Sequence, residues 1–325
     1  MRGPRGTEEA HESDPICTPT ALVANQTLAR VVQSQTIRPG EKKRDAANET
    51  LASHDRLLRN AMNVTTNPSR AVRLCVKKSH LHLPVMRGVI ERRMLLNFRC
   101  NPLVLSRILP PPFHPKLLNG WGMAGICLIR LSGLRPAFMP ALGGFSSENA
   151  AHRIAVEWND GGALQEGVFI PRRDTDSLLN RIAGGRLFPG IHHAAAFRVW
   201  ETGARYKLKM LSHDSQTFVR VLARVAEALP PGSVFSSLAE ASEFFRRGAL
   251  GWSARSQAGA FDGLELRCDH WHMTPMVVER VESSFFSDSS LFPPGSVTFD
   301  SAFLMDDLEH EWHARGRLLA LEGLS

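Results

Sequence analysis

The rhythm of apolar and polar positions divides the chain at about residue 80. Residues 1–80 show no sustained period; Thr, Asn, Ala and charged residues dominate, and no Phe, Trp or Tyr occurs. Such a stretch buries too little apolar surface to offset its ordering entropy, so a largely disordered N-terminal extension is expected there. Leu51, His54, Leu57, Leu58 and Met62 are the exception, with spacing that fits a short amphipathic helix.

From about residue 84 short apolar segments alternate with Gly and Pro. Asn101-Pro102 reads as a helix start, Leu103, Leu105, Ile108 and Leu109 as its buried side, and Pro110-Pro111-Pro112 as its stop. Strands are expected over 119–131 and 148–158, the latter turning at Asn159-Asp160-Gly161-Gly162 into 164–171. Asp174 is expected to cap a short helix carrying Leu178, Leu179 and Ile182. Further strands are expected over 193–200, 205–212, 216–228, 263–281 and 296–305, with a capping box Ser237-Leu238-Ala239-Glu240 opening a helix between them. Long antiparallel strands with a few short flanking helices predict an α+β domain, mostly β and barrel-like, over 81–325. No internal repeat or second linker is visible.

Length and charge then narrow the partners. The chain has 325 residues, and no run of 18 apolar residues occurs, so no membrane span is expected. Residues 1–80 hold 13 Lys+Arg and 8 Asp+Glu, leaving 26 and 24 for 81–325 out of totals of 39 and 32. The net charge of +7 therefore splits into +5 for the extension and +2 for the body. With no run of five basic residues, a nucleic-acid partner is disfavoured. Five scattered cysteines do not form a disulfide framework, and Met1-Arg2-Gly3-Pro4 opens no apolar signal region, so a cytoplasmic location is expected.

Strand alternation selects the candidate chemistry. On 148–158, Glu148 and His152 share a face with Ile154, Val156 and Trp158, whereas Asn149, Arg153 and Glu157 form a polar, wet face. A carboxylate and an imidazole on an apolar face suit acid/base work; the alternative is a solvated Glu148 at the strand's start. His193 points toward the core with Ala195 and Phe197, and His192 to the other side; a satisfied core histidine competes with a site role for either. Arg172 and Arg173 at a strand-to-helix junction suit an anionic substrate, or local pairing with Asp174 and Asp176. Cys268, His270 and His272 share a strand face but span nearly 13 Å at roughly 3.3 Å per residue, too far for one ion, so no metal is expected. No Gly-rich nucleotide loop or nucleophile elbow occurs, and no cofactor is expected.

Several segments carry a family resemblance: Asn101-Pro102-Leu103-Val104-Leu105 with Leu109-Pro110-Pro111, Asn119-Gly120-Trp121-Gly122-Met123, Phe145 to Val156, Gly185 to His193, and Glu282-Ser283-Ser284-Phe285-Phe286. In these the body, from His80 to Arg315, resembles the uncharacterised acetoacetate-decarboxylase-like proteins, the YqjF-type domain of unknown function. The resemblance implies a large antiparallel β barrel with a central cavity and flanking helices. It also implies a small organic ligand resembling a keto or hydroxy acid. True decarboxylases use a Schiff-base lysine within Gly-Phe-Pro-Lys-Lys. The matching stretch here, Leu187-Phe188-Pro189-Gly190-Ile191-His192-His193, has none. Lys207 and Lys209 should face solvent, which leaves Lys116 as the remaining candidate and makes iminium chemistry disfavoured. Glu148 resembles the decarboxylase cavity glutamate. The expected site is thus Glu148 as base or polar anchor, His193 and His152 as partners, and Arg173 or Arg186 as a carboxylate clamp with His192 nearby. A purely non-catalytic ligand-binding or structural barrel is the alternative, and a homo-oligomer remains open.

Overall fold

The structure, a computed structural model, describes residues 73–77, 84–140, 144–183, 190–255 and 259–321. The expected helix over 51–62 and Arg186 with its Gly185–Pro189 stretch lie outside the described residues. Fourteen strands run in chain order: β1 (Arg73–Lys77), β2 (Met86–Cys100), β3 (His114–Pro115), β4 (Leu117–Leu118), β5 (Trp121–Pro136), β6 (Phe145–Asp160), β7 (Ala163–Thr175), β8 (His192–Thr202), β9 (Arg205–Ser212), β10 (Phe218–Val225), β11 (Leu250–Ala254), β12 (Ala260–Arg267), β13 (Thr274–Ser283) and β14 (Val297–Leu321). Among the described residues four short helices accompany them: α1 (Pro102–Ile108), α2 (Leu178–Ala183), α3 (Leu238–Arg247) and α4 (Ser284–Ser287). The fold is mostly β, as expected. Strand β1 pairs antiparallel with the end of β14, so pairing begins inside the stretch assigned to the extension.

Sheet order shows two closed rings rather than one regular barrel. One ring runs β14-β2-β5-β6-β7-β11-β12 and closes through β12–β14; the other returns from β7 through β8, β9, β10 and β13 to β14. They share the wall β14-β2-β5-β6-β7. Most neighbours are antiparallel, but β7 pairs in parallel with both β8 and β11.

The shared wall is buried on both faces, and the two-residue period of a strand sorts its side chains. Met94, Leu96, Ala124, Ile126, Leu128, Ile154 and Leu304 enter one core. Leu95, Met123, Cys127, Ala155, Phe303 and Met305 enter the other. This corrects the expectation of a wet face on β6: Arg153 is only 5% exposed. The one-sided reading failed because the second ring covers the face that a simple barrel would give to water.

Local signals held unevenly. Asn101 caps α1 by accepting from the Leu103 amide at 2.9 Å, but Leu103 itself is exposed and Val104 takes the buried place. Ser237 caps α3, accepting from the Glu240 amide at 3.1 Å, while the Glu240 carboxylate reaches back to Ser236 instead of Ser237. Helix α3 presses Ala241, Phe244 and Phe245 into the second core. Asp174 is no cap, since it ends β7 buried and Ser177 bonds the Asn180 amide of α2 instead. The expected strand over 263–281 breaks into β12 and β13, which leaves Cys268, His270 and His272 in the connection.

Gly125 marks the tightest approach within the wall. A Cβ there would lie 2.4 Å from the Leu96 carbonyl oxygen, between two strands that cannot part without disturbing both cores. Gly125→Ala is expected to cost about 1–3 kcal/mol, seen as a lower urea midpoint with an unchanged slope.

Candidate ligand cavity

Glu148 points inward, as expected, but both its oxygens are occupied. Cross-strand register aligns Arg92, Arg130 and Glu148 over β2, β5 and β6. Arg92, 2% exposed, meets Glu148 at 2.5 Å, and Arg130 meets it at 2.7 Å. Glu201 of β8 completes the network on the same two guanidiniums.

His152 is fully buried, its ring 4.8 Å from Phe285, with neither ring nitrogen hydrogen-bonded. Burial, with a smaller contribution from Arg172, pushes it down to about 3, so it is neutral at physiological pH. His193 is partly exposed, and its Nδ1 lies 3.3 Å from Asp214. Asp214 is also held by Arg172 and Ser212, and Arg172 in turn grips the buried Asp174 at 2.8 Å. Glu148, His152 and His193 therefore occupy three different settings. Lys116 forms an ion pair with Glu166 and sits over the Phe244 ring, 4.5 Å from its centroid. Among the described residues no group of three His, Cys, Asp or Glu could hold a metal ion.

A different set converges on the second core's side of the wall. Two adjoining hollows of about 60 Å³ each share Ile129, Ala151, Arg173, Leu264 and Trp312. They exist because the cross-strand partners Cys127 and Ala151 are small, and Gly248 and Gly251 stand among the lining residues. Each hollow exceeds the roughly 10–15 Å³ that a cavity needs to hold a water.

Three arginines line this space. Arg93 places Nη2 3.9 Å from the Cys127 sulfur and lies 5.7 Å from the Trp271 ring centroid. Arg153 donates to Asn97 Oδ1 at 2.5 Å and lies 4.8 Å from the Phe245 centroid. Arg173 donates from Nε to Ser253 Oγ at 3.2 Å. Every one of these partners is neutral or a thiol. Burial pulls Arg173 down to about 10 and lowers Arg153 as well. For Cys127, burial raises the thiol, but the charges of Arg153 and Arg93 and their hydrogen bonds together hold it below its ordinary value. His192, paired in register with Arg173, lines the first hollow; burial and the Arg173 charge push it down to about 3.

Of the residues expected from sequence, Arg173 and His192 therefore reach the cavity. Arg93, Arg153 and Cys127 were missed, although Arg153 stands between Ala151 and Ala155, a run of small residues that marks a hollow. A wider surface depression of about 510 Å³ includes Arg87 and Arg267, but these pair with Glu311 and Glu265.

No family model and no curated protein matches the chain. Solved structures similar to it include the acetoacetate decarboxylase of Legionella pneumophila subsp. pneumophila str. Philadelphia 1. That protein is 15% identical, with 76% of this chain and 92% of that one covered at a TM-score of 0.47. An acetoacetate-decarboxylase-like enzyme from Sphingomonas wittichii RW1 is 14% identical over 79% of this chain and 100% of that one, at a TM-score of 0.46. The enduracididine biosynthesis enzyme MppR, complexed with pyruvate, is 11% identical over 76% and 94%, also at 0.46. Among the described residues no helix is long and apolar enough to cross a membrane.

The buried histidine makes a pH prediction. His152 titrates near 3 when folded against an ordinary 6.5, so below about 6.5 the unfolded chain takes up a proton that the native one refuses. Stability is therefore lost as pH falls from 6.5 toward 3. His152→Phe should shift the acid-unfolding midpoint to lower pH, as followed by tryptophan fluorescence, while a midpoint that stays put would show that other groups govern acid lability.

Proposed function

We propose that this chain is an acetoacetate-decarboxylase-like protein that binds a small organic acid, of keto- or hydroxy-acid type, in the cavity on the second core's side of the wall. The observation that carries this reading is Arg173, a buried guanidinium with no carboxylate partner among the described residues, opening onto an apolar hollow. A buried cation is costly unless paired, and a ligand carboxylate answers it with the bidentate geometry that guanidinium favours. The family label rests on the sequence resemblance.

The site assignment shifts accordingly. Glu148 is held by Arg92 and Arg130, His193 lies against Asp214, and His152 is a neutral core group, so the clamp is Arg173 with His192 beside it. Iminium chemistry finds no support, because Lys116 is engaged by Glu166 and Lys207 and Lys209 are exposed on β9. The same facts favour binding without catalysis as a second reading: Cys127 and His192 are the cavity groups left to move a proton. The dispersed cysteines, of which Cys100, Cys127 and Cys268 are free, suit a cytoplasmic setting.

A thermal-shift and calorimetric panel of short keto, hydroxy and fatty acids tests the reading. Arg173→Gln should weaken any hit by about tenfold or more, and Glu148→Gln should leave its affinity unchanged. Equal affinity in Arg173→Gln would remove the clamp. Borohydride treatment with keto acids should trap no adduct, and an adduct on Lys116 would reinstate the iminium route.

A further inference from the structure

Register shows how the three cavity arginines are arranged. Cys127 of β5 faces Leu95 of β2 on one side and Ala151 of β6 on the other, and Ala151 faces Arg173 of β7. Arg93 lies two residues from Leu95, and Arg153 two residues from Ala151, on the same face of the wall. The three guanidiniums thus form a triangle with Cys127 on the side between Arg93 and Arg153. Arg93 and Arg153 both approach it, and Arg173 stands one strand beyond Ala151.

The charge within that triangle does not balance. No salt bridge engages Arg93, Arg153 or Arg173 among the described residues, and no carboxylate lines the hollow that all three share. The one carboxylate lining the adjoining hollow, Asp174, is held by Arg172. Buried Nε atoms of Arg93 and Arg153 have no hydrogen-bond partner. Arg153 is 5% exposed and lowered by burial with a further contribution from the Arg93 charge, which marks mutual repulsion. Cys127, even as a thiolate, supplies one negative charge against three positive ones. A single ligand carboxylate on Arg173 would leave the Arg93–Arg153 end unanswered.

Resting on the cavity reading, we propose that the ligand carries two anionic groups. One sits on Arg173 and the other takes the Arg93–Arg153 end beside Cys127. The two hollows share Ile129, Ala151, Arg173, Leu264 and Trp312, so a short ligand that enters both can reach Arg173 with one end and the Arg93–Arg153 end with the other. The shared requirement is a second anion about one short carbon chain from the first. A carboxylate and a phosphomonoester both meet it.

Isothermal titration of the full chain with succinate, pentanoate and phosphoglycolate tests this. Succinate or phosphoglycolate should bind about tenfold or more tighter than pentanoate, and the tighter of the two identifies the second group. Arg93→Gln and Arg153→Gln should each erase most of that advantage over pentanoate, whereas Arg173→Gln should weaken all three ligands. The comparison of ligands on the unaltered chain stands even where a variant fails to fold. If pentanoate binds as tightly as succinate and phosphoglycolate while Arg173→Gln still weakens it, the proposal of a second anionic group fails and the cavity reading survives. If none of the three binds, and no acid of the wider panel does, both fail.

Discussion

Alternation of side chains across β2, β5 and β6 sends Leu96, Ile126 and Ile154 to one core and Leu95, Cys127 and Ala155 to the other, and both rings close on that division. Burying each large aliphatic side chain contributes about 1.5–3 kcal/mol, so a wall apolar on both faces is the main stabilising surface of the molecule. It also fixes register: a slip of one residue would exchange the two cores, carrying Arg153 and Arg93 into one and Ile154 and Met94 into the other. Gly125 shows how little slack this leaves, because even a methyl group there meets the neighbouring strand's backbone.

The same alternation sorts charge. Arg92 and Arg93 are chain neighbours, yet Arg92 turns to Glu148 and Glu201 on one face while Arg93 turns to Cys127 on the other. Arg172 and Arg173 repeat the pattern, the first gripping Asp174 and Asp214 and the second bonding Ser253. One side of the wall therefore carries compensated ion networks. The other carries cations without carboxylates around a hollow. Buried ion pairs contribute little net stability once desolvation is counted. They do hold β2, β5, β6 and β8 at fixed offsets, and so place the uncompensated arginines across the wall.

Much of the strand order was legible because period-two apolar runs and Gly-Asp turns are local. The turn at Asn159–Gly162 came out where the residues put it. The helix caps at Asn101 and Ser237 were legible for the same reason. Asp174 was misread because its carboxylate pairs with the neighbouring Arg172 and lies against Thr217, 43 residues away, instead of capping the helix that follows. Of the site, Arg173 and His192 were visible as polar residues at a strand end. Arg153 was assigned to water, since a single strand does not reveal whether a second ring covers its outer face. Glu148 was turned inward from its strand face, but its partners Arg92 and Arg130 lie 56 and 18 residues away in sequence.

Strand β14 has a further implication. It spans 25 residues and pairs along its length with β1, β2, β12 and β13, and it comes later in the chain than every other described strand. Among the described strands neither ring has an alternative closing partner, so until β14 arrives the edges of β2, β12 and β13 that it covers stay open. The molecule must hold two unfinished cores in an unclosed state during synthesis, with contacts of high sequence separation still to form. The vulnerability of the chain before β14 is in place therefore lies in timing rather than in the stability of the finished fold.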